Sequence, residues 1–477
     1  MDIRAFLAPY NPWVDQGEKG LQHVPEFTRP VFHDLIGDLQ KLPQIISVTG
    51  PRRVGKSTLL HQVVRHQLRQ GYPPDLLIYY SLDDPALFRP SIQRDGFMEA
   101  LMLEVRRRAG RKRVFLLLDE IQRLEHWELY LKKYYDLRYP VRLVVSGSAS
   151  SPIFKKSRES LLGRVKDYHL LPFSFREFLL YRVRDDRDLF TELEAIYQDG
   201  TTLRGKMVGD PRHLDLRQVT IRAPGERLWR LASQAFEDYL REGGFPEVWE
   251  METWDQKVEY LYDNQVKKVI YEDLVLAAEF RKPELLKRFY ISLLEQPGRE
   301  VNLSRIAEET GVLPAQAEKY LPLLEMTDLV AHVEKFRKSA LRLRRGNIKF
   351  YLIDLALRNA VLRVRDAGLS DPTTLGMYAE NLVFNALRKW RGTVAFDYYR
   401  ERDEEVDFIV HLGPRKYLPF EVKYRENTTE GDLRPIRNFM RRFRAPLGIV
   451  VCKRAEDCGP RDGLFLIPLL HFLLMFD

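Results

Sequence analysis

Short apolar runs alternate with helical stretches through the first third of the chain. Ile45–Val48, Leu76–Tyr80, Val114–Leu118 and Val141–Val145 are nearly continuous in apolar residues, as strands buried on both faces are. Their alternation with helical segments predicts a parallel sheet covered on both sides by helices, an α/β fold. Ser174-Phe175-Arg176-Glu177 sets an N-cap hydroxyl three residues before a glutamate and predicts the start of a further helix. A polar stretch over 185–225, punctuated by Gly200, Gly205, Gly209, Pro211 and Pro224, predicts an irregular insertion or connection. Helical periodicity returns from Trp229 to Phe280, followed by a compact helical unit from Pro283 to Val330 and a basic, strand-like segment to Phe350. From Tyr351 helix and strand patterns mix. The closing apolar tract, Leu464 to Phe476, is interrupted by Pro468 and His471 and is shorter than the ~20 residues of a membrane span. It predicts a buried strand leading into a docked helix.

Composition sets the scale. The 477 residues are 45% hydrophobic and 30% charged, a balance that excludes wholesale disorder, and at ~100–200 residues per domain the length predicts about three domains. The net charge is +8 and the isoelectric point is near 9.2. Such an excess permits a nucleic acid or an anionic surface as partner, and its placement matters more than its size. Two cysteines, Cys452 and Cys458, exclude a disulfide framework and a zinc site. Asp2 and Arg4 interrupt any apolar leader, so the expectation is a soluble, cytoplasmic protein with no membrane partner.

The candidate chemistry begins at Gly50-Pro51-Arg52-Arg53-Val54-Gly55-Lys56-Ser57, a G-x-x-x-x-G-K-S loop between the first strand and a helix opening near Thr58. Glycines let backbone N–H groups wrap phosphates, and the helix N-terminus adds positive dipole. The residues from Gly50 to Thr58 are therefore the expected ATP-binding segment, with Lys56 on the β- and γ-phosphates and Ser57 on Mg²⁺. The apolar run ending Asp119-Glu120 supplies the second half: Asp119 toward the Mg²⁺ ion and Glu120 to activate water. Ser148, after the next strand, is placed for γ-phosphate sensing, although serine and glycine are also ordinary turn residues.

These phrases, with Leu162-Gly163-Arg164, Pro172-Phe173-Ser174-Phe175-Arg176-Glu177-Phe178 and Glu242-Gly243-Gly244-Phe245-Pro246-Glu247, resemble AAA+ ATPases of a bacterial and archaeal group that fuse the motor to a nuclease-like C-terminal domain. The resemblance implies a sheet of strand order 5-1-4-3-2, a helical lid, and self-association into a ring or other oligomer. In that family a neighbouring subunit's arginine completes the site; Arg164 fits that role, with Arg158 as competitor and a surface or salt-bridged arginine as the plainer alternative. The expected segments are a strap over 1–40, the AAA+ domain over 41–180, a lid with its polar insertion over 181–280, a winged helix over 281–350 and a PD-(D/E)XK nuclease-like domain over 351–477.

Ser304 to Glu309, a turn at Gly311 and Pro314 to Glu325 form a helix-turn-helix pattern, with Ile306, Ala307, Tyr320, Leu321 and Leu324 as its apolar face. Leu329–Val333 and Ile348–Leu352 are the expected wing strands. Between them Lys335, Arg337, Lys338, Arg342, Arg344 and Arg345 suit phosphate contacts. The presumed reading helix offers only Gln316, Glu318 and Lys319 and carries Pro322, a poor set for base edges. Binding directed by shape is expected, and the same motif also serves for packing or oligomer contact.

Further on, Asp407, Glu421 and Lys423 match the D-x₁₃-E-x-K core of PD-(D/E)XK nucleases, and Glu380 fits the extra helical acid of that fold. Glu421 and Lys423 share a strand face because side chains alternate. Such folds either cleave or persist as non-cleaving DNA-binding domains. Arg434, Arg437, Arg441 and Arg444 recur at helical spacing opposite Leu433, Ile436, Met440 and Phe443, a stripe that reads as a solvated face or as a DNA contact. The expectation is an oligomeric Mg²⁺-dependent ATPase acting on duplex or branched DNA, against the alternative of a nucleotide switch that binds a protein partner as a regulator or defence sensor.

Overall fold

The computed structural model describes residues 2–88, 94–110, 112–148, 161–209, 211, 221–274, 283–337, 347–365, 370–390 and 394–477. Arg158, Lys338, Arg342, Arg344 and Arg345 lie outside the described residues. Two compact units are drawn from the chain: residues 1–171 with 271–281 and 326–328, and residues 172–270 with 282–325 and 329–477.

The first unit holds a five-stranded sheet of β1 (Ile45–Gly50), β2 (Leu77–Ser81), β3 (Val114–Asp119), β4 (Val141–Ser148) and β5 (Val165–His169). All neighbours are parallel, in the order β2-β3-β4-β1-β5, which is the expected 5-1-4-3-2 read from the other edge. The four apolar runs are β1 to β4. Strand β5 has no such run: Lys166, Asp167 and His169 are exposed, as an edge strand permits. The other edge, β2, is covered by the N-terminal segment. The Asn11 side chain accepts from Tyr79 N–H at 2.8 Å and donates to Tyr79 O at 2.8 Å, so one amide supplies both partners that a neighbouring strand would. Trp13 Nε1 donates to Leu77 O at 3.0 Å. Capping an edge in this way satisfies its backbone and denies it to other chains. The same segment is fastened to the helix Lys56–Arg69, where Arg65 donates to the carbonyls of Leu21, Val24 and Pro25.

In the second unit, Ser174 and Glu177 form the reciprocal cap at the start of the helix Phe175–Arg182. The polar stretch from 185 departs from the irregular reading: a helix spans Arg187–Gly209, burying Leu189, Leu193, Ile196, Leu203 and Met207. Gly200 is needed inside it because a Cβ there would lie 2.2 Å from Met475 O. The helices Pro283–Leu294, Leu303–Thr310 and Pro314–Met326 accompany an antiparallel sheet of β6 (Glu300–Val301), β7 (Val330–Glu334) and β8 (Ile348–Leu352), ordered β6-β8-β7. The helix Pro314–Met326 continues through Pro322. A mixed sheet follows, of β9 (Ala395–Glu401), β10 (Glu404–Gly413), β11 (Lys416–Lys423), β12 (Gly448–Cys452), β13 (Gly459–Arg461) and β14 (Leu464–Pro468), in the order β13-β14-β12-β11-β10-β9. The two sheets are joined: Phe336 donates its N–H to Tyr398 O at 2.6 Å, and its ring is buried with Tyr399, Val406 and Phe439. The expected boundary at 350 is therefore crossed by shared core. The C-terminal tract is the strand β14 and the helix Leu469–Phe476, almost wholly buried. No described helix is long and apolar enough to cross a membrane.

Replacing Asn11 with alanine leaves both Tyr79 backbone groups without their partners in a buried setting. The expected loss is about 2–3 kcal/mol of stability, to be read as a lower urea midpoint for the unfolding transition. An unchanged midpoint would show that the amide does not hold the edge.

Candidate functional site

The loop after β1 owes its shape to three residues with positive φ, Gly50 (149°), Arg53 (63°) and Gly55 (93°). At Gly50 there is also no room for a side chain, since a Cβ would lie 2.0 Å from Leu170 O. Arg29 braces the loop, donating to Val54 O at 3.3 Å and Leu171 O at 2.8 Å. The helix starts at Lys56, so its first-turn N–H groups, Ser57 and Thr58 among them, lack intrahelical acceptors and favour an anion. Lys56 is 6% exposed, and its ammonium donates to Gly50 O at 3.2 Å and Pro51 O at 2.7 Å. Burial lowers its pKa, which Glu120 and Asp119 oppose. Arg52 approaches Glu272 at 3.8 Å.

Asp119, at the end of β3, is held from three sides. Tyr79 OH donates to one carboxylate oxygen at 2.9 Å, while the Ser146 hydroxyl and the Glu120 N–H donate to the other. Glu120 stands at φ 53° and accepts from the Gln122 amide; burial raises its pKa, as it must for a carboxylate removed from water. The hydroxyl that reaches Asp119 belongs to Ser146, two residues before Ser148, which instead pairs in register with Gly50. Sequence reasoning missed Tyr79 altogether, and also a relay beside the loop in which His169 joins Thr49 Oγ1 at 3.0 Å to Asp328 at 2.9 Å. Arg164 is at the other end of the sheet. Its carbonyl accepts from Ile45 N–H and its guanidinium grips Asp136 with two contacts of 2.8 and 3.1 Å. Along β1 it is about 17 Å from Gly50 at ~3.3 Å per residue.

A second centre lies in the other unit. Strand β10 pairs with β9 through a register shift between Val406 and Ile409, a bulge of the kind that re-aims a side chain. Asp407 sits there, accepting from Val422 N–H at 2.9 Å. Glu380, on the helix Pro372–Arg388, accepts from Tyr351 OH at 2.7 Å. Glu421 pairs with Lys423. Burial first, then the neighbouring Asp407, pushes Glu380 up to about 7 and Glu421 to about 8. A residue outside the expected quartet, Lys349 on β8, binds Glu380, Glu405 and Asp407. Burial alone would lower its pKa, but those carboxylates outweigh the effect and hold it well above the usual lysine range.

The basic stripe reads differently in three dimensions. Arg434, Arg441 and Arg444 are exposed, but Arg437 is paired with Glu430 and approaches Asp462 at 3.6 Å. Acids thus balance part of the stripe. Lys335 lies 3.8 Å from Glu300.

Residues 42–179 match the family model described as an AAA domain. The chain carries an AAA+ ATPase domain. Beyond it, residues 233–368 and 375–472 match two domains of unknown function, DUF8612 and DUF4143. An uncharacterized protein of Haemophilus influenzae is 22% identical over 391 residues, covering 81% of this chain and 84% of its own. An uncharacterized protein of Methanocaldococcus jannaschii, MJ1544, is 23% identical over 401 residues, covering 82% and 77%. Among solved structures, C. elegans PCH-2 is 15% identical with a TM-score of 0.28, over 50% of this chain and 62% of that one. A Thermotoga maritima RuvB variant is 17% identical with a TM-score of 0.26, over 67% and 90%. AMPPCP-bound DnaA from Aquifex aeolicus is 13% identical with a TM-score of 0.25, over 63% and 89%.

The AAA domain's own residues fit a nucleotide phosphate: a buried ammonium rests on loop carbonyls, which phosphate oxygens can replace. Glu120→Gln keeps the shape and removes the basic carboxylate. ATP hydrolysis is expected to fall by roughly 10²–10⁴-fold with nucleotide affinity little changed, read by phosphate release beside a binding titration. Retained hydrolysis would remove Glu120 from that role.

Proposed function

We propose that this protein is an oligomeric Mg²⁺-dependent AAA+ ATPase that acts on DNA, translocating along or remodelling duplex or branched forms. Lys56 and the first-turn amides take the phosphates, Glu120 accepts the proton of the attacking water, and Ser148, beside the loop in register, senses the γ-phosphate. Magnesium, held by Ser57 and Asp119, would offset the charge that builds on the phosphates. Tyr79 and Ser146 act through Asp119, fixing its carboxylate. Arg164, at the far end of the sheet from its own loop, is the arginine offered to a neighbouring copy.

The observation that carries DNA action is the gathering of Glu380, from its helix, with Asp407, Glu421 and Lys423 of one mixed sheet, in a chain that also carries an ATPase domain. The three helices and the β6-β8-β7 sheet support a winged helix whose basic segment, from Lys335 and Arg337 through Lys338, Arg342, Arg344 and Arg345, meets phosphates. Arg434, Arg441 and Arg444 add exposed charge, with Arg437 tied to acids. Lys349, bound to Glu380 and Asp407, favours a second reading, in which the nuclease-like fold does not cleave and the ATPase is a switch for a protein partner.

Two measurements separate these readings. Steady-state hydrolysis in Mg²⁺ is expected to rise several-fold with one of single-stranded, duplex or four-way-junction DNA, with Lys56→Ala as the inactive reference; indifference to all three favours the switch. For Arg164, R164A alone and K56A alone are each expected to be inactive, while a mixture regains part of the hydrolysis because each supplies what the other lacks. No recovery on mixing tells against a shared site.

A further inference from the structure

Glu380 and Asp407 do not fit a divalent ion as they stand, because Lys349, from outside the expected pattern, already stands between them. Lys349 is 1% exposed, and its Nζ lies 2.6 Å from Glu405, 3.0 Å from Glu380 and 3.2 Å from Asp407. Among the described residues no group of three acidic, histidine or cysteine side chains is arranged to hold a metal ion. We propose that Lys349 is the built-in cation of this centre: its ammonium takes the place of a divalent ion, and the centre accepts metal only when that lysine is withdrawn.

Three observations support the assignment. The carboxylates reach Nζ from a helix and from β10, so they surround a point and do not line up along a surface. Removing the ammonium would leave oxygens needing only a modest contraction to reach the ~2.0–2.1 Å of magnesium coordination. Lysine suits the position because it is a compact charge with three donors, where arginine's planar fork would serve one carboxylate. Independently, Glu421 keeps Oε2 buried with no hydrogen-bond partner, next in sequence to Val422, whose N–H donates to Asp407. That buried acceptor is an oxygen that Lys349, bound to Glu380, Glu405 and Asp407, leaves unserved. Strand order explains how the lysine arrives: Lys349 and Tyr351 share a face of β8 and both touch Glu380.

The inference rests on reading the quartet as a cation site and not on DNA cleavage, so the test uses metal alone. Mn²⁺ binding to the full-length, nucleotide-free chain is followed by the electron paramagnetic resonance of free Mn²⁺. The phosphate loop is common to every variant, so differences report the acidic centre. K349M is expected to gain one Mn²⁺ per chain over wild type, at least about tenfold more tightly than any wild-type binding, and K349M/D407N to lose it. Equal binding by wild type and K349M, or a folded K349M that gains none, overturns the proposal. Should K349M be unfolded alone, circular dichroism during Mn²⁺ addition decides: recovery of structure supports the assignment and its absence overturns it. DNA-stimulated ATP hydrolysis of the same variant reports separately on DNA action.

Discussion

A lysine ammonium taken out of water must be surrounded by oxygen, and both centres of this chain are organised by that constraint. Lys56 meets it with the carbonyls of Gly50 and Pro51. Those are neutral dipoles, weaker partners than a phosphate, so the bonds are ones a nucleotide can exchange. Lys349 meets it with three carboxylates. Withdrawing one partner from such a buried set costs on the order of 3–5 kcal/mol, so this ammonium does not leave unaided. One lysine is set to greet a ligand and the other replaces one.

The difference follows from how each lysine is delivered. Lys56 stands six residues from the start of its loop, and the positive-φ turns at Gly50, Arg53 and Gly55 fold the intervening backbone beneath it. The carbonyls it touches are local, within the eight-residue pattern itself. Lys349 reaches Glu380 and Asp407, 31 and 58 residues away. Nothing in a basic strand-like segment marks Lys349 as a residue that turns inward. The D-x₁₃-E-x-K spacing placed Asp407 and Glu421 on two adjacent strands, β10 and β11, but the lysine that binds Asp407 belongs to a different sheet.

Other differences between pattern and structure share this origin. The four buried strands were legible as apolar runs, whereas β5 was not, because an edge strand can carry Lys166, Asp167 and His169 outward. The helix Arg187–Gly209 hid behind its glycines, one of which exists to admit the backbone of Met475 from the far end of the chain. Ser148 and Ser146 are equivalent in sequence, and only the parallel register of β4 beside β3 and β1 selects Ser146 for Asp119. Local chemistry was readable; pairings made by tertiary contact were not.

The join between the β6-β8-β7 sheet and the mixed sheet gives the second unit its character. Phe336 enters the mixed sheet's core, Tyr398 OH donates to Asn347 O at 2.9 Å, and Lys349 completes the connection electrostatically. Strands β7 and β8 are thus both tied to the mixed sheet, through Phe336 on one side and Asn347 and Lys349 on the other. These ties make β8 part of the acidic centre's wall, so a displacement of β8 large enough to carry Lys349 out must also break the Tyr351 contact to Glu380. The lysine and the tyrosine share one strand and one carboxylate, so a movement of that strand reaches both contacts at once.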